Sequence, residues 1–384
     1  MKYRINGNRL QVTKKLAQQN SLTLKHTRII LLQHLFQDTL EFINHLVANG
    51  AIIHKVLGKQ YVIDEAVLQS LKERNIAVTR VNYKDLGNNP EYLLNLLIEA
   101  LLVAKKEKQV VVIHEVGGYF HTVINLIPEE LKEYFAGVVE DTTFGFNRYK
   151  NIENDLQFPV FHVARSQLKE IEAVFVGEAI VVAFNNLMRL IGVSISGRKA
   201  LVVGYGMIGK NIAKALKNNN IATTIYDTDH IRLLHGFADG HNYIVDTNDL
   251  STFDVIFSAT GTNAIRVEDM KRMKNGIILI SGGSQDIEFD IQSLKKYASK
   301  TTAITDEFTK YIVEEKEIIV IRDGTAINLR EKSVPSEIMD LVYAEVLSCI
   351  IALVKDKGNY KPGLHEMPKA IQQTIAKEWL YELH

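Results

Sequence analysis

The chain has 384 residues, with 45 Lys plus Arg balanced by 45 Asp plus Glu, and 46% of it is hydrophobic. That length predicts two domains and allows a sizeable core. Zero formal net charge argues against a general nucleic-acid binder, which needs a basic excess or stripe, and removes any long-range pull toward anionic membranes. One cysteine, Cys349, excludes a disulfide framework within the chain and a thiolate zinc cluster; it is expected to be a buried small hydrophobe. The His and acidic residues show no metal-ligand spacing, so no metal site is predicted. The opening MKYRINGNRLQV has no long apolar stretch, and no apolar run reaches the length of a membrane span. The expectation is a soluble cytoplasmic protein with a small-molecule substrate.

In chain order, Thr27 to Leu32 reads as a compact apolar strand, followed by a helix through Leu40, Ile43, Leu46 and Val47. Ala51 to Ile53 reads as the next strand, after the break at Asn49-Gly50. Tyr92 to Ala104 reads as a buried amphipathic helix, and Val110 to Ile113 as a strand ending near Gly117-Gly118. A long helix is predicted from about 175 through Ile180, Phe184, Leu187 and Ile191. Strands then recur at Ala200 to Val203, Ala222 to Tyr226, Val255 to Ser258, Gly276 to Ile280 and Ile318 to Ile321, and Pro335 opens a last helix. Apolar strands alternating with helices predict an α/β protein: two doubly wound parallel-sheet, Rossmann-like domains joined by long helices. The domains are placed at 1–174, completed by 335–384, and at 175–334.

The segment Gly204-Tyr205-Gly206-Met207-Ile208-Gly209 has the Gly-x-Gly-x-x-Gly spacing, fed by a strand and followed by a helix. The first glycine permits the tight turn, the second lets backbone approach a pyrophosphate, and the third lets helix and strand pack closely. Asp227, about twenty residues on at the end of the next strand, is placed to accept from ribose hydroxyls and disfavours the extra phosphate of NADP. Nearby Arg232 keeps NADP open. The loop Ser258 to Asn263, with Thr260 and Gly261, suits a cofactor-facing crevice or an ordinary strand-to-helix turn.

Several segments, in order, resemble the adenosylhomocysteinase family. Glu140-Asp141-Thr142-Thr143-Phe144-Gly145 is similar to its Glu-Glu-Thr-Thr-Thr-Gly, and Phe158-Pro159-Val160 with Lys169 to its substrate-lysine region. Gly197 through Gly209 resembles its cofactor loop, and Ser281-Gly282-Gly283-Ser284 through Asp290 its Gly-His-Phe-Asp segment. Ile327-Asn328-Leu329, Pro335-Ser336 and Gly363-Leu364-His365 resemble its later motifs, and Gln33 to Thr39 its Leu-His-Met-Thr-x-Glu-Thr. The resemblance implies bound NAD, transient oxidation of a nucleoside hydroxyl, and a homodimer or homotetramer. It also implies that Lys169 removes the hydroxyl proton, that His34 is a general acid/base, and that Asp38, Asp141 and Ser284 hold substrate. Thr142, Thr143, Asp227, Thr260, Gly283 and Asn328 would then line the NAD site.

The departures cluster on the substrate side. Ala173 and Val174 stand where the family has Asp and Asn, and Ser284 and Val334 where it has histidines. Val116 replaces the aspartate beside Gly117-Gly118, and Glu115 is a candidate to replace it. The family's Lys- and Tyr-bearing tail has no counterpart before His384. Lys169 also reads as part of a solvated helix face, His34 as a capping residue, and Asp141-Thr142 as a helix N-cap. The expectation is NAD-dependent chemistry on a nucleoside, thioether nucleoside or related polyol, rather than ordinary adenosylhomocysteine hydrolysis. A net dehydrogenase releasing NADH and a non-catalytic NAD-binding regulator are the alternatives.

Overall fold

The computed structural model describes residues 9–283, 287–328 and 334–382. The candidates Ser284 and Leu329 lie outside the described residues. The chain forms two compact units, Met1–Lys169 with Ser336–His384, and Glu170–Pro335.

Unit one contains β1 (Thr27–Leu35), β2 (Ile52–Ile63), β3 (Val78–Val81), β4 (Val110–Glu115), β5 (Phe135–Glu140) and β6 (Pro159–His162). Unit two contains β7 (Lys199–Val203), β8 (Ala222–Tyr226), β9 (Asn242–Tyr243), β10 (Val255–Ser258), β11 (Ile277–Ser281), β12 (Lys300–Thr305), β13 (Phe308–Val313) and β14 (Lys316–Ile321). The chain then returns to unit one and adds β15 (Gly363–His365).

The first sheet runs β15-β6-β5-β4-β1-β2-β3, with every pairing parallel. Alternate strand residues feed two cores, as a sheet covered on both faces requires. Ile29, Leu31, Val112 and Val139 pack with helices Gln37–Ala48 and Ser336–Lys355. Ile30, Leu32, Ile113 and Val138 pack with helix Pro90–Glu107. That helix starts where Asn89 accepts the Tyr92 N–H ahead of Pro90, and it ends on Lys108 in the left-handed region.

The second sheet runs β12-β13-β14-β11-β10-β7-β8-β9. To the parallel strands it adds an antiparallel edge, since β12, β13 and β14 pair antiparallel. Glu314 and Glu315 turn β13 into β14 with φ of 47° and 68°. Such two-residue turns normally advertise themselves with Asn-Gly or Asp-Gly, and Glu-Glu carries no such signal.

Two expectations are corrected. Strand β2 extends to Ile63, far beyond Ile53, because the polar residues that seemed to end it are accommodated along the strand. The long helix begins at Gln167 and runs to Leu190. It is long and apolar enough to cross a membrane by length and composition, with half of that stretch buried inside the protein. Its Ile180, Phe184 and Leu187 pack with Ala200, Val202 and Phe257 in the core of unit two.

Candidate functional site

In an open parallel sheet, ligands bind beyond the carboxyl ends of the strands, where the strand order reverses. In unit one that point lies between β1 and β4, since β2 and β3 extend one way from it and β5, β6 and β15 the other. The Gln33 amide bridges the reversal to His114 Nε2 at 3.0 Å. Just past β5, the Asp141 carboxylate accepts from Lys169 Nζ at 2.7 Å, with side chains only 11% and 15% exposed. Burial alone would raise the Asp141 pKa, but the Lys169 ammonium, with His114 and His34, holds it below the ordinary carboxylate value. Lys169 is delivered by the first turn of its helix, where Ser166 Oγ accepts the N–H groups of Leu168 and Lys169 at 3.1 Å.

His34 lies at the end of β1. Burial, reinforced by the Lys59 charge, lowers its pKa to about 3. The imidazole is therefore neutral near neutral pH, the form that accepts a proton rather than donates one. Its backbone carbonyl accepts the Thr39 hydroxyl at 2.7 Å, and that hydroxyl meets Tyr343 Oη at 3.0 Å.

Glu115 and Glu140 face each other in register on β4 and β5, both fully buried. Glu140 accepts the N–H groups of Gly117, Gly118 and Thr142 and the Thr142 hydroxyl, at 2.6 to 3.0 Å. A side chain on Gly145 would begin 2.1 Å from the Glu140 carboxyl carbon, so the glycine makes room for it. Glu115 accepts the Tyr119 N–H at 2.6 Å and the Tyr149 hydroxyl. These bonds close the turn after β4 and engage the carboxyl proposed to stand in for the missing aspartate.

Burial raises Glu115 to about 7, and burial together with Glu115 raises Glu140 to about 8. Burial also lifts Glu345 to about 7. Between the ordinary carboxyl value and these pH values, the native state keeps protons that the unfolded chain has lost, so its stability falls as pH rises. Buried His34, His114 and His162, lowered mainly by burial to about 3 or 4, act in the opposite sense, but only below their ordinary value of 6.5. Urea unfolding is therefore expected to show stability declining from about pH 6.5 to about pH 8, opposed in part by Lys59, whose ammonium pKa burial lowers to about 8; a rising profile there contradicts the protonated carboxyls.

In unit two the order reverses between β7 and β10. Gly204 has φ +92°, and a side chain on it would begin 2.7 Å from the Ala259 carbonyl oxygen. One on Gly209 would begin 1.7 Å from the Gly204 carbonyl oxygen. At Gly206, by contrast, the nearest atom would be Arg232 Nη1 at 3.8 Å. Helix Met207–Asn218 starts there with no side-chain cap, leaving its first N–H groups for an anion. Asp227 Oδ2 accepts the Tyr205 N–H at 2.7 Å and lies 3.5 Å from Arg232 Nη1. A tight turn, an open second glycine and an uncapped helix start followed by a carboxylate fit a dinucleotide.

Residues 178–334 match the family model described as S-adenosyl-L-homocysteine hydrolase, NAD binding domain. The chain is 28% identical to an adenosylhomocysteinase of Saccharolobus solfataricus, over 92% of this chain and 84% of that one. It is also 28% identical to an S-inosyl-L-homocysteine hydrolase of Methanopyrus kandleri, over 65% of this chain and 60% of that one. The chain is similar to adenosylhomocysteinases over most of its length, and the match to their NAD binding domain covers residues 178–334. It is an enzyme of that type, and its cofactor is NAD. A solved structure from Ralstonia solanacearum, described as a D-3-phosphoglycerate dehydrogenase oxidoreductase, shares the fold at TM-score 0.50 and 11% identity, covering 87% of this chain and 96% of that one.

Within that family frame the other predicted residues fall into different settings. Asp38, in the first turn of helix Gln37–Ala48, accepts the Ser336 hydroxyl at 2.7 Å. Thr142 caps helix Thr143–Asn151 by accepting the Gly145 N–H at 3.0 Å while donating to Glu140, so its hydroxyl is committed within unit one. Thr143 is exposed in that helix's first turn, and Asn328 is half-buried after β14. The N–H groups of Thr260 and Gly261 and the hydroxyls of Ser258 and Thr260 all donate to Glu288, at 2.7 to 3.0 Å. Those donors support the loop. Gly283 is needed beside them, since a side chain there would begin 2.4 Å from Glu288 Oε1. Sequence reasoning assigned no role to Glu140, Glu288 or Lys59, because nothing local marks a charged residue as buried.

Asp227→Ser removes the carboxylate beside the glycine loop. Losing a charged hydrogen bond of about 1.5–3 kcal/mol is expected to weaken NAD binding roughly tenfold to a hundredfold and to narrow the preference over NADP. Calorimetry with both dinucleotides measures this; unchanged NAD affinity refutes the assignment.

Proposed function

We propose that this enzyme acts on a nucleoside, a thioether nucleoside or a related polyol by transient oxidation of a hydroxyl, rather than by ordinary adenosylhomocysteine hydrolysis. The observation that carries the reading is the Lys169–Asp141 pair, 2.7 Å apart at the carboxyl edge of unit one's sheet, in a chain that also holds a dinucleotide cradle. When bound, NAD accepts hydride from the carbon bearing the hydroxyl. As the ammonium paired with Asp141, Lys169 orients that hydroxyl; once it has given one proton to solvent, its amine takes up the hydroxyl's proton. Asp141 fixes the lysine and neutralises it before the substrate arrives.

The activities for which the relatives are named make homocysteine thioethers of adenosine and inosine the first substrates to try. Ala173, 2% exposed where the family has an aspartate, favours one other reading: an NAD-binding protein without turnover. The NAD-loaded protein should be incubated with adenosine, inosine, their homocysteine thioethers and simple polyols. Nicotinamide absorbance would be followed, with mass spectrometry of the products. Reduced nicotinamide or converted substrate supports the enzyme reading, and silence across the panel supports the second. Native mass spectrometry of the same sample reports bound NAD and tests the proposed homodimer or homotetramer.

A further inference from the structure

Near the Lys169–Asp141 pair lies a second ammonium that the family resemblance does not account for. Lys59 follows Gly58, which pairs with Gln33 of β1. Only 1% of the residue is exposed. Its ammonium lies 5.7 Å from the centroid of the Tyr119 ring, and 3.6 Å from where a side chain on Gly117 would begin. Glu140, Glu115 and Asp141 act on it through space. Yet among the described residues it has no hydrogen-bond partner and no carboxylate at ion-pairing distance. The acids around it are engaged elsewhere: Glu140 with Gly117, Gly118 and Thr142, Glu115 with Tyr119 and Tyr149, and Asp141 with Lys169.

A buried cation without a hydrogen-bonded or ion-paired partner is costly, and such a group at the ligand-binding edge of a sheet is a candidate for meeting opposite charge on a ligand. Burial lowers the Lys59 pKa, with Glu140 opposing, to about 8, so it remains charged near neutral pH. Glu115 and Glu140, raised by burial to about 7 and about 8, compensate it only in part. Arg148, which stacks on Tyr119 at 4.6 Å, adds a further positive charge.

We propose that Lys59 is an oxyanion-recognition point, taking a carboxylate or phosphate oxygen of the ligand bound at the carboxyl edge of this sheet. The assignment rests on the functional reading above only in calling that ligand the substrate. It narrows the substrate class from any nucleoside or polyol to one carrying an acidic group.

The test uses the full-length, NAD-loaded protein as wild type, Lys59→Met and Lys59→Arg. Thermal unfolding is followed in sodium acetate, sodium phosphate and sodium chloride at equal ionic strength. Acetate or phosphate should raise the wild-type midpoint above the chloride control, and which of them does so distinguishes a carboxylate from a phosphate site. Lys59→Arg should keep the response and Lys59→Met should lose it. Calorimetry with adenosine, adenosine 5′-monophosphate and S-adenosyl-L-homocysteine should show a wild-type preference for an acid-bearing ligand on the order of tenfold or more, reduced toward unity in Lys59→Met. The proposal is overturned if neither anion exceeds chloride in the wild type, or if Lys59→Met responds as the wild type does. An anion response without binding of any nucleoside would overturn the functional reading and leave Lys59 assigned. Should Lys59→Met fail to fold, Lys59→Gln serves for the same measurements.

Discussion

Lys169→Met is expected to reduce turnover by roughly a hundredfold to ten-thousandfold, the usual worth of a positioned proton-transfer group, while NAD remains bound. The fold should weaken as well, because Asp141 is left buried with its strongest partner gone. Breaking a buried pair costs about 3–5 kcal/mol, and the 11% and 15% exposure of these side chains places the loss toward the lower end, where water can reach the orphaned carboxylate. The double variant Lys169→Met with Asp141→Asn separates the two effects. It removes the unpaired charge, so stability should return in large part while turnover stays lost. Single-turnover assays and urea unfolding on the single and double variants check both halves. Turnover that recovers with stability would make the pair a structural tie.

What could be read in the sequence depended on whether the determinant was local. Strands β8 and β10 match their expected bounds to the residue and β7 to within one; β7 and β10 are buried along nearly all their length and write themselves as almost unbroken hydrophobic stretches. The glycine loop was legible through its spacing, although the demands behind it are not all local: Gly209 meets the Gly204 carbonyl, Gly204 meets that of Ala259, and Gly206 meets only the end of Arg232. Strand β2 was not, since His54, Lys55 and Lys59 interrupt its pattern and only tertiary neighbours explain why they are tolerated. Nor was the β13–β14 turn, whose residues lack turn chemistry. The same rule divides the candidate site. Lys169 and Asp141, 28 positions apart, became candidates only through resemblance, and no periodicity joins them. Glu115 looked catalytic because a carboxylate at a strand end is a fair candidate. Its engagement with Tyr149, 34 positions away, is a packing fact that no local pattern reports. Glu288 repeats the lesson in unit two, where an acid distant in sequence takes the donors that the β10 loop appeared to reserve for a ligand.

The glycine loop supplies the sharpest separation of fold from ligand. Gly209→Ala is expected to destabilise unit two by about 1–3 kcal/mol, the cost of forcing an atom into a filled space, because its methyl carbon would begin 1.7 Å from the Gly204 carbonyl oxygen and 2.9 Å from the carbonyl carbon. Both are backbone atoms held in the turn, so the start of helix Met207–Asn218 must move, and NAD binding should fall with it. Gly206→Ala makes the opposite case. Its φ of −79° is one alanine adopts freely, and the nearest protein atom would be the end of the flexible Arg232 side chain, at 3.8 Å. Stability should therefore stay within about 0.5 kcal/mol of the wild type, as for a substitution that meets nothing. NAD affinity should nonetheless drop, on the order of tenfold or more, because the methyl group occupies the space through which the backbone approaches the pyrophosphate. Thermal unfolding without added NAD, together with calorimetric titration of NAD, reads the two quantities apart. If Gly206→Ala binds NAD as the wild type does, the pyrophosphate does not lie against this residue, and the glycine is there for the turn alone.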